Sequence, residues 1–278
     1  CATLQASAKE NREMKKYLDT ILTVPFKQFL ELQCALKPPM KETSLIEKEN
    51  LLKVSEWLPA HLPVDSGISE GKAGVVLWLF HYARYSGKNG NPLAHSLLGE
   101  IDEAVKKHKL PLNFKYGLCG IGWLYMYLYA NKFLRHPGVE MLQSIDHEIE
   151  GIKCDRIADL TMNYGTGGTL CYLSTRLKMM ETNRVNCSFC SDFLEEMEGL
   201  ARRVITDSTD IYACFHAFQY LLLRAKDVCE EDWKPQLTEW LDFPNALPED
   251  TYFWKPGLFD GCAGYTLPSM LLTKNTIE

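Results

Sequence analysis

The chain has little of what several protein classes require. Lys plus Arg number 30 against 36 for Asp plus Glu, a net charge of −6. That balance supplies no basic face to displace counterions and argues against a nucleic-acid partner. Long apolar runs are missing. The longest, Val75–Phe80 and Ile121–Ala130, fall well short of the roughly 20 residues that cross a bilayer, so no transmembrane segment is expected. There is no low-complexity tract and no long charged tail, which argues against dominant disorder. Alternating apolar–polar runs and hairpin punctuation are scarce, which argues against a β fold. No Ser-His-Asp order, Walker A motif or dinucleotide-binding glycine pattern occurs.

Cysteine, by contrast, is abundant, with ten residues. A second CxxC is what the sequence lacks: Cys187-Ser-Phe-Cys190 stands alone, and zinc ribbons need a second pair at a suitable distance. A chain of this length does not need disulfide staples. Cys34, Cys119, Cys171 and Cys214 lie within helix-like apolar stretches, where a free thiol acts as a small apolar residue. The expectation is reduced thiols in a cytoplasmic protein.

The chain opens at Cys1, and Met14-Lys15-Lys16 reads as an ordinary bacterial start. Residues 1–13 are therefore read as a disordered extension and 14–278 as a single domain. Lipidation of Cys1, as in a mature lipoprotein, is the rival reading. Asp19 and Pro25 break the Met14–Phe29 segment as a signal peptide.

What the chain does have is a repeat. Gly67-Ile-Ser-Glu-Gly71-Lys-Ala-Gly74-Val-Val-Leu77 and Gly257-Leu-Phe-Asp-Gly261-Cys-Ala-Gly264-Tyr-Thr-Leu267 both read GxxxGxxGxxL. Between them lie Gly117-Leu-Cys-Gly120-Ile-Gly122-Trp123 and Gly165-Thr-Gly-Gly168-Thr-Leu-Cys171. Gly71, Gly117 and Gly165 are separated by steps of 46 and 48. A further 48 reaches Ala213 and another 48 reaches Gly261. A fifth, degenerate unit is thus predicted at Ala213-Cys214-Phe215-His216-Ala217, with Ala for the first Gly and His216 for the second. A regular step of this size means one supersecondary unit repeated and stacked.

The unit is helical. Val76, Leu77, Leu79 and Phe80 recur at helical spacing after the first motif, as do Leu118, Ile121, Leu124, Tyr125 and Leu128 after the second. Between motifs, Leu97–His108 and Asp192–Val204 carry apolar residues at three-to-four spacing among charges. The predicted fold is all-α: an apolar inner helix after each GxxG and an amphipathic outer helix before the next. Five such pairs, with N-terminal helices at Met14–Leu36 and Thr43–Trp57 completing the outer wall, would close into an α/α toroid. An open solenoid is the alternative.

These glycine repeats, above all Tyr116-Gly-Leu-Cys-Gly-Ile-Gly-Trp123 and Gly257-Leu-Phe-Asp-Gly-Cys-Ala-Gly264, resemble the lanthionine synthetase C-like (LanC-like) family over about residues 64–273. His81-Tyr-Ala-Arg-Tyr85 adds to the likeness with members from Bacteroidetes. The resemblance implies an α/α toroid with glycine motifs at the mouth of a central cavity. It also implies a zinc ion held by two Cys and one His, which activates a peptide thiol for addition to a dehydroamino acid. The family's ligands sit two residues (Cys) and one residue (His) before the motif Gly. Here the first set of slots holds Ser69, Lys115, Asn163, Ile211 and Phe259, and the second Glu70, Tyr116, Tyr164, Tyr212 and Asp260. The zinc site is therefore expected to be absent, and the chain has fewer repeats than the family's usual seven or so. The implied reading is a zinc-less, non-catalytic LanC-like protein that binds a peptide or partner protein in a peptide-modification setting.

Other sites were weighed beside it. In a closed ring Glu70 and Asp260 would face one another and could act as an acid and base on a sugar. With Tyr116, Tyr164, Tyr212 and Trp254 they would form a polar, aromatic mouth. The opposing reading is that tyrosines cap the turns and the acids favour helix N-termini. Cys214, His216 and Cys262 are the candidates for a displaced zinc site, which would restore cyclase activity. His81 and Arg84 read as packing and outer-face residues.

Overall fold

The computed structural model describes residues 45–88, 90–107, 110–152, 158–183, 188–225, 234–244, 247–248 and 250–272. The expectations placed on residues 1–13, on Met14–Leu36, and on Cys1, Cys34 and Cys187 lie outside the described residues. The described residues are all-helical, with no strand. They form α1 (Leu45–Trp57), α2 (Lys72–Tyr85), α3 (Pro92–Lys107), α4 (Leu118–Ala130), α5 (Val139–Glu150), α6 (Thr166–Thr182), α7 (Ser191–Asp207), α8 (Ile211–Arg224) and α9 (Cys262–Leu272).

Two kinds of helix alternate. Helices α2, α4 and α6 are buried nearly all round over most of their length, α4 through an almost wholly apolar sequence and α6 with Thr, Ser and Arg side chains buried among its apolar ones. Helices α3, α5 and α7 bury one stripe only, such as Ala94, Leu97, Leu98 and Ile101 of α3, or Phe193, Met197, Leu200 and Val204 of α7. The buried helices pack in sequence, α2 on α4, α4 on α6 and α6 on α8, while α9 packs on α2 and on α1.

The glycines are explained by how each loop returns to the helix it precedes. Gly71, Gly117, Gly165 and Gly261 are each followed by a helix start. In all four, the amide after the glycine donates to the carbonyl seven residues back: Lys72 to Asp65 at 2.8 Å, Leu118 to Pro111 at 2.8 Å, Thr166 to Asp159 at 2.9 Å and Cys262 to Lys255 at 2.8 Å. The loop therefore lies against the first turn. A Cβ on Gly117 would stand 1.7 Å from the Pro111 carbonyl, and one on Gly120 2.0 Å from that of Phe114. No side chain fits at either position, which is why the spacing is GxxG.

The degenerate unit shows what happens when that loop is missing. Only three residues separate α7 from α8, so no loop returns over the helix start. The Asp210 side chain takes over instead, accepting from Tyr212 N at 3.0 Å and Ala213 N at 3.1 Å as a helix cap. Its second oxygen accepts Met162 N at 2.8 Å and ties the turn before α6 to α8. Ala213 and His216 can then replace glycine.

Successive turns are tied by backbone hydrogen bonds through Ser69, Lys115 and Asn163, each two before its glycine, and through Leu258, three before Gly261. Lys115 N donates to Asn163 O at 3.0 Å, Ser69 N to Lys115 O at 3.2 Å, and Leu258 N to Ser69 O at 2.6 Å. The last bond joins the final turn to the first.

The connection from α8 to α9 departs from the expected pairing. Its described part holds only 3-10 turns, Leu237–Glu239 and Thr251–Phe253, and no outer α-helix. Pro235, Pro244, Pro248 and Pro256 remove backbone donors along it. The segment inserts Trp240 into the core. Trp240 meets Trp123 at 5.2 Å, Phe114 at 5.0 Å and Phe259 at 6.0 Å between ring centroids. Aromatic side chains thus fill the space between α4 and the last turn.

Candidate ligand-binding mouth

The turns before α2, α4, α6 and α9 converge on Lys115. Its ammonium lies 2.8 Å from the Glu70 carboxylate. It stands 4.9 Å from the ring centroid of Tyr116, 5.7 Å from that of Tyr164 and 5.8 Å from that of Phe259. All three are within reach of cation–π attraction. The two tyrosine rings are themselves 6.0 Å apart. Only 16% of the Lys115 side chain is exposed, against 52% for Tyr164, so the ammonium sits beneath an aromatic rim. Burial opposes its charge, but hydrogen bonding to Glu70, Tyr116 and Tyr164 outweighs burial and moves its pKa upward.

Glu70 pairs with Lys115 and Asp260 with Lys255. The two pairs are neighbours, since a Cβ on Gly257 would lie 3.0 Å from the Glu70 Cα. The last turn thus abuts the first, and each carboxylate finds a lysine.

The tyrosines divide. Tyr116 and Tyr164 flank Lys115, whereas the Tyr212 hydroxyl donates to Asp242. Burial, then the Asp242 carboxylate, pushes the Tyr212 phenol up. Trp254 does not line the mouth. It is buried edge-on against Trp57 of α1, 5.6 Å away, and its indole N–H donates to the Pro248 carbonyl at 2.8 Å.

The Cys214, His216 and Cys262 set diverges. The Cys214 thiol faces the Val204 and Ser208 carbonyls at 3.6 Å. His216 Nε2 meets the Glu239 carbonyl at 3.1 Å, and burial pushes the imidazole down to about 3. Cys262 is buried, which pushes its thiol up to about 12. Among the described residues no three His, Cys, Asp or Glu side chains form a metal-holding group. Nor do the mouth residues fit the zinc that the LanC-like resemblance implies: the cysteine slots hold Ser69, Lys115, Asn163, Ile211 and Phe259, the histidine slots Glu70, Tyr116, Tyr164, Tyr212 and Asp260, and Lys115 presents an ammonium in place of a cation ligand.

His81 and Arg84 behave as structural residues. His81 Nε2 and the Tyr127 hydroxyl lie 2.9 Å apart inside the core, and burial, with Arg84 nearby, pushes the imidazole down to about 3. Arg84 covers the Phe133 ring at 3.5 Å.

A scan against protein-family models, a search of curated proteins and a search of solved structures each find no match.

Function must therefore be argued from the residues of the mouth. Sequence reasoning named its tyrosines and Glu70 but passed over Lys115 and Phe259 as slots without cysteine. The signal was present: a lysine between an acid of one unit and tyrosines of two others, all within one residue of the same register. A separate groove of about 600 Å³ runs between the start of α2 and the face of α3, lined in part by Asp65, Glu100, Glu103, Lys72 and Lys107. Its lysines are paired within it, Lys72 to Glu100 at 2.7 Å and Lys107 to Glu103.

Proposed function

We propose that the chain is a zinc-less, non-catalytic α/α toroid of LanC-like type whose glycine-turn mouth binds a basic, lysine-containing peptide segment of a partner in a peptide-modification setting. In this reading α2, α4, α6, α8 and α9 form the inner wall, and α1, α3, α5 and α7 the outer one. The packing of α9 on α2 and the Leu258–Ser69 hydrogen bond support ring closure.

The observation that carries the peptide reading is the composition of the mouth. Around the turns, Asp65, Glu70, Asp159, Asp210, Asp242 and Asp260 outnumber Lys72, Lys115 and Lys255. Exposed Tyr164 supplies an aromatic contact surface. An acidic face with aromatic anchors favours a cationic, extended segment, by steering its approach and by stacking. Two rival readings have less support. A cyclase with displaced ligands needs Cys214, His216 and Cys262 on one ion, and their side chains have different partners. A sugar hydrolase needs Glu70 and Asp260 free to exchange protons, and both are ion-paired.

The test is a titration of a fluorescently labelled peptide of alternating lysine and tyrosine into the purified protein, at low and high salt. Saturable binding is expected, weakened by Tyr164→Ala and by raised salt. Binding unaffected by Tyr164→Ala would move the site elsewhere.

A further inference from the structure

Resting on that reading, we propose that Tyr116, Tyr164, Phe259 and Glu70 form a subsite for an alkylammonium group, the side chain of a ligand lysine, and that Lys115 is its intramolecular occupant. The ligand's ammonium exchanges with that of Lys115, so the mouth is held shut by a surrogate of what it binds.

The geometry has the parts of an ammonium receptor. Three ring centroids lie 4.9, 5.7 and 5.8 Å from one charged nitrogen, and a carboxylate lies 2.8 Å from it. Rings hold a cation by their quadrupole and discriminate little between one ammonium and another. The recognising groups come from separate turns: Glu70 before α2, Tyr116 before α4, Tyr164 before α6 and Phe259 before α9. Their convergence is thus a product of the fold rather than of local sequence. The Lys115 backbone is fixed on both sides, its amide on Asn163 and its carbonyl on Ser69, so the side chain can swing without disturbing the turn.

Two polar atoms beside the lysine lack partners. Ser69 Oγ and Asn163 Oδ1, in the same register slot on either side of Lys115, are buried without a hydrogen-bond partner among the described residues. Buried polar groups without a partner are costly, which marks this side of the lysine as incompletely satisfied.

An internal competitor reduces apparent affinity by the fraction of time that the box is free. Lys115→Ala empties it. The probe is tetramethylammonium, followed by nuclear magnetic resonance. The variant should bind it at least about tenfold more tightly than the wild type, and Glu70→Gln or Tyr164→Ala in the Lys115→Ala background should remove that gain. No gain in a variant that keeps the wild-type circular dichroism spectrum overturns the proposal.

Should Lys115→Ala fail to fold, the wild type answers the same question. Acetylation of Lys115, mapped by mass spectrometry, should speed up several-fold in tetramethylammonium chloride relative to equal sodium chloride, while exposed Lys88 stays unchanged. An unaltered Lys115 rate overturns the proposal. The two readings fail separately. If the lysine–tyrosine peptide does not bind but tetramethylammonium does, the partner reading falls and the subsite stands. If the peptide binds and Lys115→Ala gains nothing, the subsite falls alone.

Discussion

Leu258 donates its amide to the carbonyl of Ser69 at 2.6 Å, and this bond joins the last glycine turn to the first. It places Glu70 beside Gly257, and so brings Phe259 to the ammonium of Lys115. The cluster around Lys115 depends on that contact, because Glu70, Tyr116, Tyr164 and Phe259 come from turns far apart in sequence.

The turns should tolerate no side chain at their glycines. Gly120→Ala puts a Cβ 2.0 Å from the Phe114 carbonyl, a clash with backbone that no rotamer relieves, and should cost about 3 kcal/mol or more. Gly199→Ala, on the exposed side of α7 with nothing within 4 Å of the added carbon, should stabilise by about 0.5–1 kcal/mol. Urea unfolding of the two variants beside the wild type measures both.

A buried ion pair holds α5 to α6. Arg176 donates to Asp146 at 2.8 and 3.0 Å, and the Tyr172 hydroxyl donates to the same carboxylate at 2.6 Å. Both charged side chains are under 10% exposed. Removing one partner strands the other charge, so Arg176→Met should cost about 3–5 kcal/mol, and adding Asp146→Leu should recover most of the loss. A double-mutant cycle by thermal unfolding reads the coupling.

The sequence made the helical class and the register of the glycine turns legible, and with them the approach of Glu70 to the last turn. Periodicity carries that much because the glycines are demanded by local backbone contact. The side-chain partners were less legible. Tyr116, Tyr164 and Tyr212 occupy the same slot, yet Tyr212 turns to Asp242 because the segment after α8 delivers that acid to it. Trp254 was expected at the mouth and lies against Trp57. Trp240 gave no signal at all, since its place in the core depends on the path of a proline-broken connection. Asp210 went unread as a cap because the expected glycine drew attention to Ala213.

Glu239 gives stability a pH dependence of a particular sign. Burial pushes its carboxyl up to about 7 from an ordinary 4.5, against the weaker pull of a Gln236 hydrogen bond and of Lys178. Between those values the folded chain holds a proton that the unfolded chain has lost. The stabilisation is full below about 4.5 and declines as pH rises to about 7. His81 and His216, both pushed down to about 3, act the other way, and their contribution is lost as pH falls below about 6.5. The Glu239 effect is therefore isolated by difference. Chemical unfolding from pH 4.5 to 7.5 should show wild type losing stability relative to Glu239→Gln as pH rises, and then running parallel to it.

The central claim is that a basic peptide binds at the glycine-turn mouth. Its most direct test is a chemical-shift map of isotope-labelled protein titrated with the unlabelled lysine–tyrosine peptide. The account predicts saturable shifts centred on Glu70, Lys115, Tyr116, Tyr164 and Phe259. Shifts confined to the α2–α3 groove around Lys72 and Glu100, or no saturable shifts at any residue, would contradict it.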